Sequence, residues 1–240
     1  MTIFTQIKAF FLALFMPILM LFGWTGGIEV PETKADILNL YKTAVADFNA
    51  NVPAFEKTND TTVSTANFKV LGISDGAASE FKAFLNDGKT IVEKVKAGTA
   101  NTDYLFIKDL SEGEIDSVEC SLSDDMKYFN VKIVLKEEIS KGKGLDSLNK
   151  ITNDYRDEAD IKAFLDSKGY TANKTEIKLS NITINAKISV EGSRIENLSI
   201  SFDENVSFTK LVKNKVVSYS SANYAANTTV KYSNISAWKA

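Results

Sequence analysis

The chain has 240 residues and no histidine, and that absence sorts its candidate chemistry. Without imidazole there is no Ser-His or Cys-His dyad, and no ring nitrogen to serve as a base or hold zinc. The one cysteine, Cys120, falls on the apolar side of an alternating stretch. With no histidine to activate it, it reads as a buried structural thiol rather than a nucleophile. Ser-x-x-Lys, which sets a lysine beside a serine on one helical turn, occurs at Ser140/Lys143 and Ser147/Lys150. The Ser-Asp-Asn and Lys-Thr-Gly elements of such enzymes are missing, so a Ser- and Lys-rich composition accounts for both pairs. Asn153, Asp154, Asp157, Glu158 and Asp160 gather oxygen ligands of the kind calcium takes. Their spacing is not that of a calcium loop, and a helix start, where the dipole favours carboxylates, explains them better. Carboxylates for glycosidic cleavage need only meet in space, and no motif speaks for them. No catalytic residue, cofactor or metal site is expected, and the chain does not read as an enzyme.

What remains is binding chemistry. The late aromatics Phe202, Phe208, Tyr219, Tyr224, Tyr232 and Trp238 alternate along strand-like sequence. They fit two readings. One is ordinary sheet core, since strands favour aromatics. The other is the lining of an apolar cavity that would take a lipid. The net charge of −3 carries no basic stripe, so nucleic acid is not an expected partner. Asn-x-Ser/Thr sequons recur, as at Asn173, Asn181, Asn197, Asn205, Asn227 and Asn234. They would carry glycans only in a eukaryotic secretory setting.

The elements that must position these residues are legible in outline. Thr33 is a candidate N-cap, with Asp36 in the capping-box place. Ile37, Leu38, Tyr41, Ala44, Val45 and Phe48 follow at helical spacing, which predicts a helix over 34–48 ended by the Asn49–Pro53 stretch. Residues 54–73 are β-rich. Residues 76–97 read as a second helix, split or kinked at Asn86-Asp87-Gly88, with Phe81, Phe84, Leu85, Ile91, Val92 and Val95 on one side. Residues 98–114 read as a loop with one apolar part, 104–110. From Ile115 the period becomes two. Val118, Cys120 and Leu122 run out, Asp124-Asp125 turns the chain, and Phe129, Val131, Ile133 and Leu135 return, which predicts a hairpin. A Gly/Lys loop at 141–144 precedes a helix over 160–167, stopped by Gly169. The nine-residue string at 81–89 echoes the one at 161–169, as short amphipathic helices often do by chance. The remainder is a meander. Ile177 to Val190 and Ile195 to Leu211 flank a Glu191-Gly192 turn, and Val216–Tyr219 and Thr228–Trp238 supply the last two strands. The fold class is therefore α+β: a curved antiparallel meander packed with a few helices.

Ahead of all this stands an uncharged run over residues 9–28, AFFLALFMPILMLFGWTGGI. As a helix it would reach about 30 Å, the thickness of a bilayer core, with no polar face. It reads as a signal peptide or an uncleaved N-terminal membrane anchor. Thr25-Gly26-Gly27 is a poor cleavage site, which favours the anchor. Lys8 before the run weakly favours a body that faces outward. Residues 29–240 then form a single extracytoplasmic domain. Without residues 1–27 the chain loses Lys8 alone, leaving 27 of its 28 basic residues against 31 acidic ones and a net charge of −4. A body of about 210 residues can bury roughly 70% of its unfolded surface in one core, so the lack of any disulfide is no obstacle.

The strings ADILNLYKTAV (35–45), PAFEKT (53–58), YFNVKIVLKEE (128–138) and IENLSISFDENVSF (195–208) resemble a group of uncharacterised exported proteins and lipoproteins of low-GC Gram-positive bacteria. The resemblance spans most of residues 35–238 and implies no activity. The chain departs from that group in lacking a lipobox cysteine. A helix with a curved meander is also similar, at the level of fold, to the half-barrel of lipoprotein carriers of the LolA type. The expected function is an extracytoplasmic, membrane-associated binding module for an apolar ligand such as lipid. The competing expectation is a structural or protein-interaction module with a filled core, and a carboxylate hydrolase ranks last.

Overall fold

The computed structural model describes residues 27–74, 76–99, 110–139 and 147–236. The apolar run up to residue 26, the Ser140/Lys143 pair, the loop 141–144, residues 100–109 and Trp238 lie outside the described residues. Among the described residues, no helix is long and apolar enough to cross a membrane.

The first element is α1, Lys34–Asn51. Thr33 caps it: its hydroxyl oxygen accepts the Asp36 N–H at 3.1 Å and its hydroxyl donates to the Asp36 carboxylate at 2.6 Å. All six residues of the predicted apolar stripe, Ile37 to Phe48, are buried. Pro53 forbids continuation of the helix, and Val52 turns the chain at φ 44° while its N–H still bonds Phe48 O.

β1, Ala54–Val70, is a single 17-residue strand, and β2, Ile73–Ser74, folds back on its end. α2 covers only Ala77–Phe84. The expected helix over 76–97 is therefore half wrong. Asn86 (φ 59°) and Gly88 (φ 69°) break it, and Thr90–Val95 is a strand, β3, paired antiparallel with Phe55–Asp60 of β1. Ile91, Val92 and Val95 fit a helical spacing, but six residues led by a β-branched run cannot establish a helix against an open strand edge. The loop between α2 and β3 also closes that edge further along. The Asp87 carboxylate accepts the Val63 N–H at 2.8 Å, and Gly88 donates to Thr61 O at 3.0 Å. Edge groups capped in this way cannot recruit another strand.

β4, Ile115–Leu122, and β5, Tyr128–Leu135, form the predicted hairpin, in register Val118↔Ile133 and Cys120↔Val131. The apolar phase is as predicted, but its depth is not. Val131, Ile133 and Leu135 are buried, whereas Val118, Cys120 and Leu122 are only half-buried, because β4 is the last strand of the sheet. β6, Glu138–Ile139, adds a short pair to the strand that follows. α3, Glu158–Ser167, starts at a capping box in which Asp157 accepts from Asp160 N and Asp160 accepts from Asp157 N. Gly169 (φ 71°) follows, against Asn214, and a Cβ there would meet the Asn214 side chain at 2.3 Å.

The meander is built from long strands: β8, Lys174–Ser189, β9, Ile195–Thr209, and β12, Ser221–Ser236. The expected strand at 216–219 is instead β11, Val217–Ser218, which with β10, Val212–Lys213, and β7, Tyr170–Thr171, makes a separate three-stranded sheet. The last strand begins at Ser221 rather than Thr228. The main sheet runs β2-β1-β12-β9-β8-β5-β4, with β3 on β1 and β6 on β8, every pair antiparallel. The first long strand thus pairs with the last. α1 crosses β4, β5, β8 and β9, and α2 lies on β1. The class is α+β, with a dry face under the helices and a polar face opposite.

Candidate functional site

Two places on this sheet hold groups able to do chemistry. The first is inside. On β9, Phe202, Glu204, Val206 and Phe208 alternate onto the dry face, and all four are buried. Glu204 is a carboxyl in an apolar phase, 2% exposed. Its Oε1 accepts a 2.5 Å hydrogen bond from the Tyr224 hydroxyl. Burial pushes its pKa from 4.5 up to about 7, against the Tyr224 hydrogen bond and the nearby Arg156 charge, which both lower it. Burial likewise pushes the Tyr224 phenol well up, helped by the Glu204 charge. A second charged side chain, Lys57, comes to the same face from β1. It sits 2.7 Å from the Asp154 carboxylate and 6.0 Å from the centre of the Tyr232 ring.

The segment 152–156 therefore serves both inward charges, sending Asp154 to Lys57 and Arg156 toward Glu204. Thr152 anchors it, its hydroxyl oxygen accepting the Asp154 N–H at 3.0 Å. Beside Glu204, Arg156, Tyr155, Thr61 and Thr228 enclose a space of about 20 Å³, room for a single water. The arrangement can take up or release a proton near neutral pH, but it does not admit a substrate. The sequence carried the signal for it, since Phe202-x-Glu204-x-Val206 places a glutamate in the buried phase, and the sequence reading passed over it.

The proposed cavity-lining aromatics lie on this same dry face. Phe202, Phe208, Tyr219, Tyr224 and Tyr232 are all buried, and Trp238 lies outside the described residues. Phe81 of α2 is their hub, with ring centres 5.3 Å from Phe208, 5.9 Å from Tyr224 and 4.3 Å from Phe68. Tyr219 meets Phe68 edge-on at 6.4 Å, and Tyr232 lies 5.8 Å from Phe55. These are contact distances between aromatic rings.

The remaining sequence candidates fall elsewhere. Ser147 and Lys150 do converge, but on a carboxylate: Lys150 Nζ donates to Glu114 Oε1 at 2.5 Å and Ser147 Oγ to the same oxygen at 3.3 Å. The Ser111 N–H and hydroxyl donate to Glu114 Oε2 at 2.7 and 3.0 Å. The lysine is thus paired with the Glu114 carboxylate, and the serine points to the same carboxylate oxygen rather than to the lysine. Cys120 is half-buried, and burial pushes its thiol up to about 11. Among the described residues, no group of His, Cys, Asp and Glu is arranged to hold a metal.

The second place is outside. Strand pairing sets Thr58, Lys231, Ser199, Asn185, Lys132 and Glu119 side by side across six strands. Thr62, Asn227, Asp203 and Ser180 form another such row. In that row Asp203 accepts from Asn227 at 2.8 Å and from Asn181 at 2.6 Å. Over β4, β5, β8 and β9 this face dips into an open depression of about 670 Å³, lined by Glu119, Ser121, Asn130, Lys132, Asn185 and Lys187 among others. Short hydroxyl and amide side chains on a rigid sheet offer hydrogen bonds at fixed spacing with little side-chain entropy to lose. Comparison with protein-family models, with curated proteins and with solved structures gives no match.

Proposed function

We propose that the chain is an extracytoplasmic, membrane-associated binding module, held at the membrane by residues 9–28, that meets its partner with the outer face of its sheet. The observation that carries this reading is the open depression over β4, β5, β8 and β9, where Ser, Asn, Lys and Glu side chains gather. Rows of Asn, Ser and Lys repeat there at the strand spacing of about 4.8 Å. That pattern suits an extended chain bearing hydroxyl and amide groups, such as an envelope glycan or an extended peptide. Titration of residues 29–240 with acetamido-sugar oligomers and with polar peptides, followed by amide NMR shifts, tests it. The first shifts are expected at Asn130, Lys132, Asn185 and Lys187, and Asn185→Trp, which fills the depression, should abolish them. Shifts confined to other faces reject the reading.

A second reading, an apolar ligand such as lipid held behind the sheet, draws support from the aromatic cluster around Phe81. A ligand there would have to displace Phe81 and α2, since the rings already fill one another's contact distance. Native mass spectrometry of the protein purified from its host separates the two. A lipid-free mass is expected, and a co-purifying lipid selects the interior site.

A further inference from the structure

Two turns at one end of the molecule expose aliphatic side chains that the fold does not use. At the β1–β2 turn Leu71 is 91% exposed and Ile73 75%. At the β10–β11 turn Val216 is 82% exposed and Val217 37%. The turns are neighbours, joined through Ser220: its N–H donates to Lys69 O at 2.7 Å, and its hydroxyl oxygen accepts the Gly72 N–H at 3.3 Å.

Leu71 is ill-suited to its position by ordinary criteria. It stands at φ 51°, before Gly72 at φ 82°, in a two-residue turn where both residues are left-handed. Asn, Asp or Gly adopts that geometry at less cost and is better solvated. A leucine placed there gains nothing in the folded monomer.

The exposed charge around it is mainly positive, although Asp75 adjoins Ser74 in sequence. Lys69, Lys210 and Lys215 are exposed, and none forms an ion pair among the described residues. Lys213, between them, is held 2.7 Å from Glu80. No Asp or Glu occurs in residues 61–74, and none follows Glu204 to the end of the chain. The aliphatics stand on two turns and project from them, Leu71 and Val216 being almost fully exposed. A fluid apolar medium under an anionic layer fits such a shape, whereas a rigid protein partner would need a complementary hollow for each turn.

We propose that this end of the molecule docks on a bilayer, with Leu71, Ile73, Val216 and Val217 entering the acyl boundary and Lys69, Lys210 and Lys215 meeting anionic headgroups. This surface is distinct from the depression on the outer face, and its docking does not depend on what the depression binds.

The test uses the full chain with Cys120→Ala and a single environment-sensitive fluorophore on a cysteine introduced as Leu71→Cys, Val216→Cys or Ser193→Cys. Ser193 lies in the β8–β9 turn at the opposite end of the sheet. The protein is mixed with vesicles of phosphatidylcholine alone or with phosphatidylglycerol added. The probes at 71 and 216 should move to an apolar environment, and more so with phosphatidylglycerol, while the probe at 193 stays in water. Salt should reverse the effect. Lys69→Gln, Lys210→Gln and Lys215→Gln should each lower the docked-to-free ratio about fivefold, the equivalent of about 1 kcal/mol per lysine. Probes at 71 and 216 that remain as wet as the probe at 193 overturn the proposal. Shielding that grows with protein concentration in the absence of vesicles also overturns it, in favour of a contact between copies.

Discussion

The middle of the sheet and its rim each hold a carboxyl shielded from water, and they treat it in opposite ways. The carboxyl of Glu204, on the central strand β9, has one hydrogen bond among the described residues, from Tyr224, and burial drives its pKa up to about 7. Glu114, beside the start of edge strand β4, is also disfavoured as an anion by burial. There, however, Lys150 and Ser111 outweigh the cost, and its pKa falls below the usual carboxylate range. Burial sets the penalty on charge in both places, and the partners decide its sign. The centre of the sheet must spend its space on packing and can spare one donor. The rim is built from turns that have hydroxyls, N–H groups and an ammonium to give.

The largest test of this contrast is of packing itself. Ile133 on β5 is fully buried, opposite Val118 on β4 and Ile184 on β8. Ile133→Ala should cost about 2–5 kcal/mol in denaturant unfolding, as expected where a cavity is left behind. Val118→Ala, on the half-buried rim strand, should cost clearly less. Equal costs would erase the distinction between centre and rim.

Glu204 gives the next largest effect. A pKa near 7 in the folded state against 4.5 means that the native protein holds a proton the unfolded chain has lost. Stability from this group is full below about pH 4.5, falls as pH rises toward 7, and is level above that. At about 1.4 kcal/mol per pH unit the change is roughly 3 kcal/mol. Glu204→Gln keeps a neutral acceptor for Tyr224 and should remove the slope. The variant should match the parent in acid and exceed it at pH 8. A parent whose stability does not fall between pH 5 and 7 would contradict the protonated state.

Cys120 probes the depth of the rim. Burial raises its thiol from 9.0 to about 11, a loss of about a hundredfold in thiolate, although the side chain is only half-buried. Because the thiolate is the reacting species, iodoacetamide should label native protein about a hundredfold more slowly than unfolded protein. Labelling at the unfolded rate would place Cys120 on the wrong face and revive it as a nucleophile.

These contrasts also mark how far the sequence could be read. α1 was legible because six apolar residues keep one period over about three turns and Thr33 announces the start. The register face of the 115–135 hairpin was legible because alternation has only two phases. What alternation does not encode is depth. Val118 and Val131 carry the same pattern, and only the position of β4 at the sheet edge separates them. Residues 90–95 read as helix because Ile91 and Val95, four apart, share a face in a helix and in a strand alike, and the deciding partner, Phe55–Asp60, lies 30 to 40 residues away. The pairing of β1 with β12, across most of the chain, has no local signal at all. Glu204 was legible in its buried phase, whereas the depression on the outer face depends on the register of four strands and was not.

The smallest effect belongs to Glu114, and its sign is the opposite of that at Glu204. A folded-state pKa below the unfolded value means that the native protein releases its proton more readily. The stability so gained is present above the ordinary glutamate range and is lost as pH falls through the lower, folded-state pKa. Glu114→Gln removes the anion that Lys150, Ser147 and Ser111 all address. The amide still offers one acceptor oxygen, and the site is partly open to water, so the loss at pH 7 should be about 1 kcal/mol, a typical net value for a hydrogen bond at a screened site. The more telling readout is the pH dependence of the difference between parent and variant. Parent stability minus variant stability should rise with pH for Glu114→Gln and fall with pH, to negative values, for Glu204→Gln. If both differences moved in the same direction with pH, the claim that partners rather than burial set the sign in this sheet would fail, because two shielded carboxyls would then be answering to burial alone.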